Sequence, residues 1–167
     1  RSNAADVADD VERDAVEVMA AIREIQFSNG VQGCHRFIIS NCRGASDVAR
    51  LYALARTTFD GDTVPLDLVP LFETVDDLAA APAAMRTLLS DPAYRAHVAQ
   101  RGDRQTVMLG FSDGTKDGGY LRANWSIHQA KETVSQACSE AGVEVVFFDG
   151  RGGPPARGGG NTPRFYA

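Results

Sequence analysis

The sequence predicts an α/β fold of four parallel βα units, about half of a (β/α)8 TIM-type barrel, preceded by an N-terminal helix. Two observations predict it. Short β-branched and aromatic runs alternate along the chain with segments of helical period. The later runs are almost continuously apolar, which is typical of parallel strands buried on both faces. A whole barrel needs about 250 residues, and this chain has 167.

The first elements follow from periodicity. Apolar residues recur every three or four positions (7, 11, 15, 18, 22 and 25), which predicts a helix over residues 6–28 that ends at Asn29-Gly30. A strand at 36–40 and a helix with its apolar face between 45 and 55 form the first unit. Residues 1–4 resemble the remnant of a cleaved tag, which leaves 5–167 as one domain.

Three further units follow a predicted turn at 60–62. Strands are predicted at 66–72, 105–111 and 143–148, with Pro70 an unusual residue in the middle of the first of them. Thr74 and Asp77 have capping-box spacing. The intervening helices are predicted at 75–90, 92–100 and 117–141, the last ended by Gly142.

Composition limits the function. Lys and Arg number 17 against 22 Asp and Glu, a net charge of −5, so any anion site must be local. No apolar run could cross a bilayer and no leader is visible, which predicts a soluble cytoplasmic protein without a membrane partner. Cys34, Cys42 and Cys138 form no ligand motif and are predicted to be reduced thiols in or near the core.

Polar residues follow every predicted strand: Ser40-Asn41, then Glu73, then Ser112-Asp113, and finally Asp149-Gly150-Arg151. The loops after parallel strands meet at the carboxyl edge of the sheet, where α/β proteins bind ligands. Glu73 and Asp113 could supply two oxygens to a hard divalent ion such as Mg²⁺. The alternative is that Glu73 only favours a helix start and Asp113 only forms an Asx turn.

Two glycine-rich segments could bind an anion. Residues 110–120 (GFSDGTKDGGY) place Lys116 between a strand and a helix, or are an ordinary βα turn. The closing segment carries Arg151 and Arg157, whose guanidinium groups suit phosphate. Pro154-Pro155 stiffens that segment, which favours a built loop over a disordered, RNA-binding Arg-Gly tail.

Other chemistry-bearing residues have structural interpretations. His35, His97 and His128 are scattered, and the last two are predicted to occupy surface or satisfied core positions. Tyr120 and Trp125, at helical spacing, are predicted to pack. No Ser-His-Asp or Cys-His arrangement favours a nucleophilic hydrolase.

Three segments together resemble the phosphoenolpyruvate carboxylase family: VPLFETVDDL (69–78), VMLGFSDGTKDGGYLRANW (107–125) and FFDGRGGPPARGGG (147–160). They stand in the family's order and spacing, and the resemblance extends more weakly back through FIISN (37–41). It implies a carbon–carbon lyase that carboxylates phosphoenolpyruvate with bicarbonate. The products would be oxaloacetate and phosphate, formed through carboxyphosphate and a metal-bound enolate.

The resemblance also implies site residues. It implies that Glu73 and Asp113 bind Mg²⁺ or Mn²⁺, that Lys116 belongs to the active site, and that Arg157 stabilises the transferred phosphoryl group. The substrate-binding set would be Asp149, Gly150, Arg151, Gly152, Gly153 and Arg157. Many family members have His at the position of Asp149. The Asp149 carboxylate would repel an anion unless it is protonated, paired or drawn to the metal.

The family enzyme is several times longer than this chain, and its remaining catalytic groups lie elsewhere. The resemblance therefore predicts a fragment that is inactive alone, has the rest of the parent chain as a partner, and self-associates through open sheet edges. Two other interpretations stay open: an RNA-binding Arg-Gly module, with affinity that falls steeply with salt, and another phosphate-handling barrel lyase.

Overall fold

A computed structural model describes residues 4–59 and 63–150, although for 4–12, 112–114 and 117 it describes the backbone alone. Within these ranges, four parallel strands stand in the order β1-β2-β3-β4, and helices separate them along the chain. The predicted α/β class with an N-terminal helix is confirmed, and the arrangement is consistent with part of a barrel. The predicted turn at 60–62 and the segment 151–167 lie outside the described residues.

The strands and helices begin and end close to their predicted bounds. The strands are β1 (Arg36–Ile39), β2 (Asp67–Phe72), β3 (Arg104–Gly110) and β4 (Glu144–Gly150). The helices are α1 (Ala4–Asn29), α2 (Ala45–Thr58), α3 (Val75–Ser90), α4 (Pro92–Gln100) and α5 (Ser112–Glu140). Only α5 departs clearly, since it begins five residues before the predicted position 117.

The two faces of the sheet have different surroundings. Phe72, Leu109 and Phe147 belong to the core or pack on it, together with apolar residues of all five helices. We call this side the helix-facing side. Side chains alternate along a strand, so Leu71, Met108 and Phe148 point to the opposite side, which we call the open side.

The central strands and the last strand differ in burial. β2 and β3 are buried almost throughout, as their apolar sequences predict. The same prediction is wrong for β4, whose residues are half-buried or exposed, and Phe148 keeps 50% of its surface accessible. β4 is the last strand of the described sheet. No described strand pairs with its outer edge, whereas β2 and β3 each have a strand on both sides.

Pro70 is tolerated within β2 because the pairing partner changes there. Residues 67–70 pair with β1, whereas Leu71 and Phe72 pair with β3. Where β2 and β3 are not paired, the buried Gln105 side chain donates to the Leu68 carbonyl (2.9 Å). Its amide oxygen accepts from the Tyr94 hydroxyl (2.9 Å). A side chain thus satisfies the backbone group that the ladder leaves open.

The buried face of α1 is rotated from the predicted one. Met19, Ile22 and Gln26 are buried, whereas Val18 and Ile25 are exposed. The Gln26 amide donates to the carbonyls of Cys34 (2.6 Å) and Pro65 (3.0 Å). These two hydrogen bonds hold the polar Gln26 inward, and apolar periodicity could not reveal them.

His128 lies on the surface, as predicted, and His97 lies in the core but is not fully satisfied there. The His97 ring lies against Tyr52 (4.8 Å between centroids) and Tyr94 (5.6 Å). Its Nδ1 has no hydrogen-bond partner among the residues that the structure describes. Burial, aided by the nearby Arg101 charge, lowers the pKa of His97 from 6.5 to about 4. The ring is therefore neutral at pH 7.

The cysteines also match their prediction, because Cys42 and Cys138 are buried, Cys34 is half-buried, and all three thiols are free. Burial raises the pKa of both buried thiols to about 11, which makes them unreactive at neutral pH.

The burial of His97 makes the free energy of unfolding depend on pH between about 4 and 6.5. The unfolded chain protonates His97 near pH 6.5 and the folded chain only near pH 4. Its contribution is therefore fully present above about pH 6.5 and falls as the pH drops towards 4, by roughly 3 kcal/mol in all. We expect the H97F variant to lose less free energy of unfolding between pH 7 and pH 4 in urea titrations, with H128Q as the surface control. Equal losses in wild type and H97F would contradict this prediction.

Candidate functional site at the carboxyl edge of the sheet

The ends of β2, β3 and β4 are level with one another. Phe72 pairs with Leu109, Leu109 with Asp149, and Gly110 with Gly150. Glu73 is the first residue after β2, and it lies beside Gly110. Glu73, the start of the 110–120 segment and Asp149-Gly150 therefore meet at one edge, where the sequence predicts the ligand site.

Glycine allows the closest contact at this edge. A Cβ atom on Gly110 would lie 2.9 Å from the Glu73 Cα and 3.2 Å from the Phe72 carbonyl oxygen. A Cβ on Gly150 would lie 2.8 Å from Met108 Cε and 3.1 Å from the Leu109 carbonyl oxygen. Cβ contacts under 3.0 Å essentially never occur, and at Gly110 the atom is backbone, so that position needs glycine for the strand ends to lie side by side. At Gly150 the end of the Met108 side chain can move, and the Leu109 carbonyl oxygen makes the fit tight.

Glu73 is held in a defined position between β2 and α3. The next residue, Thr74, caps α3 through a complete capping box with Asp77 (3.1 and 3.0 Å), as predicted. The half-buried Glu73 carboxylate makes no hydrogen bond or ion pair with any other described residue. A half-buried carboxylate with no ion-pair partner among the described residues fits a ligand of a hard divalent ion.

The second predicted metal ligand is only partly described. Asp113 falls in the first turn of α5, but its side chain lies outside the described residues. Over the side chains that are described, no cluster of three or more His, Cys, Asp or Glu forms a metal site. Convergence of Glu73 and Asp113 on one ion stays a prediction.

The 110–120 segment is helical from Ser112 rather than an open turn. The Thr115 hydroxyl donates to the Phe111 carbonyl (2.7 Å), and the helix is interrupted at Gly119, where φ is 76°. Gly118 lies against Val75 at the start of α3, since a Cβ there would be 3.1 Å from that side chain. Lys116 is exposed on this short first part of α5.

The prediction that Tyr120 and Trp125 pack is wrong, because they keep 64% and 61% of their surface exposed. Beyond Gly119, α5 instead buries small side chains at helical spacing: Ala123, Ala130, Val134 and Ala137. Trp125 is two residues beyond Ala123, about 200° around the helix, and so points away from that face.

Asp149 has a partner that the sequence did not suggest. Both carboxylate oxygens contact the Lys131 Nζ, at 2.8 and 2.9 Å. Lys131 lies on α5, 18 residues before Asp149, and its Nζ is also 5.9 Å from the centre of the Phe147 ring. No short sequence pattern joins residues on a helix and the following strand. Helical periodicity could have placed Lys131 near β4, but not at Asp149.

The remaining predicted residues, Arg151, Gly152, Gly153 and Arg157, lie outside the described residues. Gly150 is the last described residue of the predicted phosphate segment. Their contribution to the site stays a prediction from the sequence.

The four parallel strands and the helices between them place this chain in the class of parallel α/β proteins, in an arrangement consistent with part of a barrel. A family model described as "Phosphoenolpyruvate carboxylase" matches residues 2–165. The chain belongs to the phosphoenolpyruvate carboxylase family.

Curated relatives agree. The chain is 46% identical over 150 residues to the phosphoenolpyruvate carboxylase of Xanthomonas euvesicatoria, covering 88% of this chain and 17% of the relative. It is 42% identical over 164 residues to that of Rhodothermus marinus, covering 90% and 17%. The enzyme of Methylorubrum extorquens is 38% identical over 169 residues, covering 98% and 18%. The chain thus spans less than a fifth of the length of these relatives.

None of the described helices combines the length and apolarity that crossing a membrane requires.

Gly110 gives a direct test of the close contact at this edge. We expect G110A to destabilise the chain by roughly 2–3 kcal/mol, because the added methyl group meets backbone atoms that cannot move aside cheaply. G33A is the matched control, since the nearest atom to a Cβ there is Asn29 Cβ at 3.8 Å. Urea unfolding measures both, and similar stabilities for the two variants would refute the tight fit.

Proposed function

We propose that this chain is part of a phosphoenolpyruvate carboxylase that converts phosphoenolpyruvate and bicarbonate to oxaloacetate and phosphate. The observation that supports this proposal most is the contact of Glu73 with Gly110, which brings two of the three family-like segments to one sheet edge. Family membership supports the reaction, and a cytoplasmic location is part of the proposal.

The residues take roles that follow from their chemistry. Glu73 and Asp113 would hold Mg²⁺ or Mn²⁺, which when bound stabilises negative charge on an enolate oxygen. Lys116, on the first part of α5, would add a positive charge to the site. Arg151 and Arg157 donate hydrogen bonds to the phosphoryl oxygens, and the glycines 150, 152 and 153 let the backbone approach the phosphate.

The proposed reaction has two steps. A bicarbonate oxygen attacks phosphorus, the bond between phosphorus and the bridging oxygen breaks, and carboxyphosphate and the enolate of pyruvate result. Carboxyphosphate releases carbon dioxide and phosphate, and the enolate carbon attacks the carbon dioxide to give oxaloacetate. Donors fixed before the reaction stabilise the charge that moves to the phosphoryl oxygens.

A substitution of Glu73 in the full-length protein that carries the chain tests this function. We expect E73Q to lower kcat at fixed Mg²⁺ by at least about 100-fold, because the amide is a poor ligand for a hard cation. The E132Q variant, on the exposed surface of α5, should keep the wild-type rate. Coupled oxaloacetate formation measures all three proteins, and wild-type turnover by E73Q would exclude the proposed role.

The isolated chain should form no oxaloacetate under the same conditions, because the family's other catalytic groups are not in it. A measurable rate with the chain alone would overturn this part of the proposal.

The chain alone should also self-associate. β1 and β4 are the two edge strands of the described sheet, and Phe148 is exposed on β4. Unpaired edges bind further strands, and a charged residue on an edge prevents this. We expect light scattering to show dimers or larger species that decrease in F148K. A monomer at high concentration would contradict this expectation.

A further inference from the structure

Asp149 creates an electrostatic problem at the proposed phosphate site. It lies at the end of β4, directly before Gly150, where the segment proposed to bind phosphate begins. An unpaired carboxylate there would repel phosphoenolpyruvate. We infer that Lys131 is a positioning residue for the anion, which acts by neutralising Asp149 and holding it on the helix-facing side of the sheet. This inference rests on the proposed function and deepens it.

The geometry of the pair supports neutralisation. The Lys131 Nζ contacts both Asp149 oxygens within 2.9 Å, so neither oxygen is left without the cation. The Phe147 ring lies 5.9 Å from the same Nζ and faces α5 from the same side of β4. An ammonium group over an aromatic ring is stabilised there, and the ring limits where the Lys131 side chain can lie.

The direction of Asp149 supports the positioning role. Asp149 is in register with Leu109 and Phe72, whose side chains are in the core on the helix-facing side. Gly150, the next residue, lies against Met108 and the Leu109 carbonyl. Two consecutive residues are thus fixed, one by an ion pair and one by close packing. The proposed phosphate segment therefore starts from a defined point with the carboxylate turned towards α5.

The pair is also more sheltered than the ion pair at the other end of the same strand. The side chains of Lys131 and Asp149 are 34% and 37% exposed, against 57% and 62% for Arg104 and Glu144. Shelter reduces screening by water and salt. Arg104–Glu144 is therefore a matched control, about 17 Å away along β4 at a rise of about 3.3 Å per residue.

The experiment uses steady-state kinetics of the full-length protein, with phosphoenolpyruvate as the varied substrate. We expect K131M to raise KM by roughly tenfold, because it leaves a negative charge at the root of the phosphate segment, and to change kcat much less. K131R should keep KM near the wild-type value. The double variant K131M/D149N should recover most of the lost affinity, and R104M should leave KM unchanged.

The outcomes distinguish a role of Lys131 in anion binding from a role in packing alone. An unchanged KM in K131M, or an equally high KM in K131M and K131M/D149N, would overturn it, because a packing defect is not repaired by removing the carboxylate. Thermal unfolding of each variant identifies loss of fold, and K131R tests the charge if K131M is unstable.

If the wild-type protein makes no oxaloacetate, the proposed function fails. Calorimetric titration with inorganic phosphate then compares the same variants, and equal binding by all would overturn the inference.

Discussion

The contact of Gly110 with the Glu73 backbone is the constraint on which the rest of the candidate site depends. It can form only where a strand ends in a residue without a Cβ, because that atom would lie 2.9 Å from the Glu73 Cα. The contact places the start of α5 against the start of α3, and Gly118, farther along α5, lies close to the Val75 side chain. Any residues that the two segments contribute to a ligand therefore approach it from adjacent positions.

The core accommodates a proline in the middle of β2. Pro70 has no N–H, and β2 changes partner from β1 to β3 at that point. Gln105 and Tyr94 supply the hydrogen bonds that replace part of the ladder, and the neutral His97 packs against Tyr94. The neutral ring avoids placing a charge in the core, which would cost several kcal/mol. A polar, acid-sensitive part of the core thus stabilises the amino-terminal ends of β2 and β3, opposite the edge that carries Glu73.

Features that depend on residues close together in the sequence could be predicted. Features that depend on contacts between distant residues could not. Strand and helix order, the Thr74–Asp77 capping box and the meeting of strand ends at one edge all follow from local patterns, and the structure confirms them. The rotation of α1 depends on Gln26 binding two carbonyls far along the chain. The exposure of Trp125 follows from α5 burying alanines instead. The metal pair and the arginines stay predictions because Asp113's side chain and residues 151–157 lie outside the described part.

The alternation of side chains resolves the conflict between Asp149 and an anion site. A residue at position 149 points to α5, whereas the row of Glu73, Gly110 and Gly150 continues the open side of the sheet. The residue at 149 therefore has to suit the facing position on α5. A neutral imidazole needs no charged partner there, but a carboxylate does, and Lys131 supplies it. The charge of Asp149 is therefore balanced within the protein, with or without a ligand at the edge of the sheet.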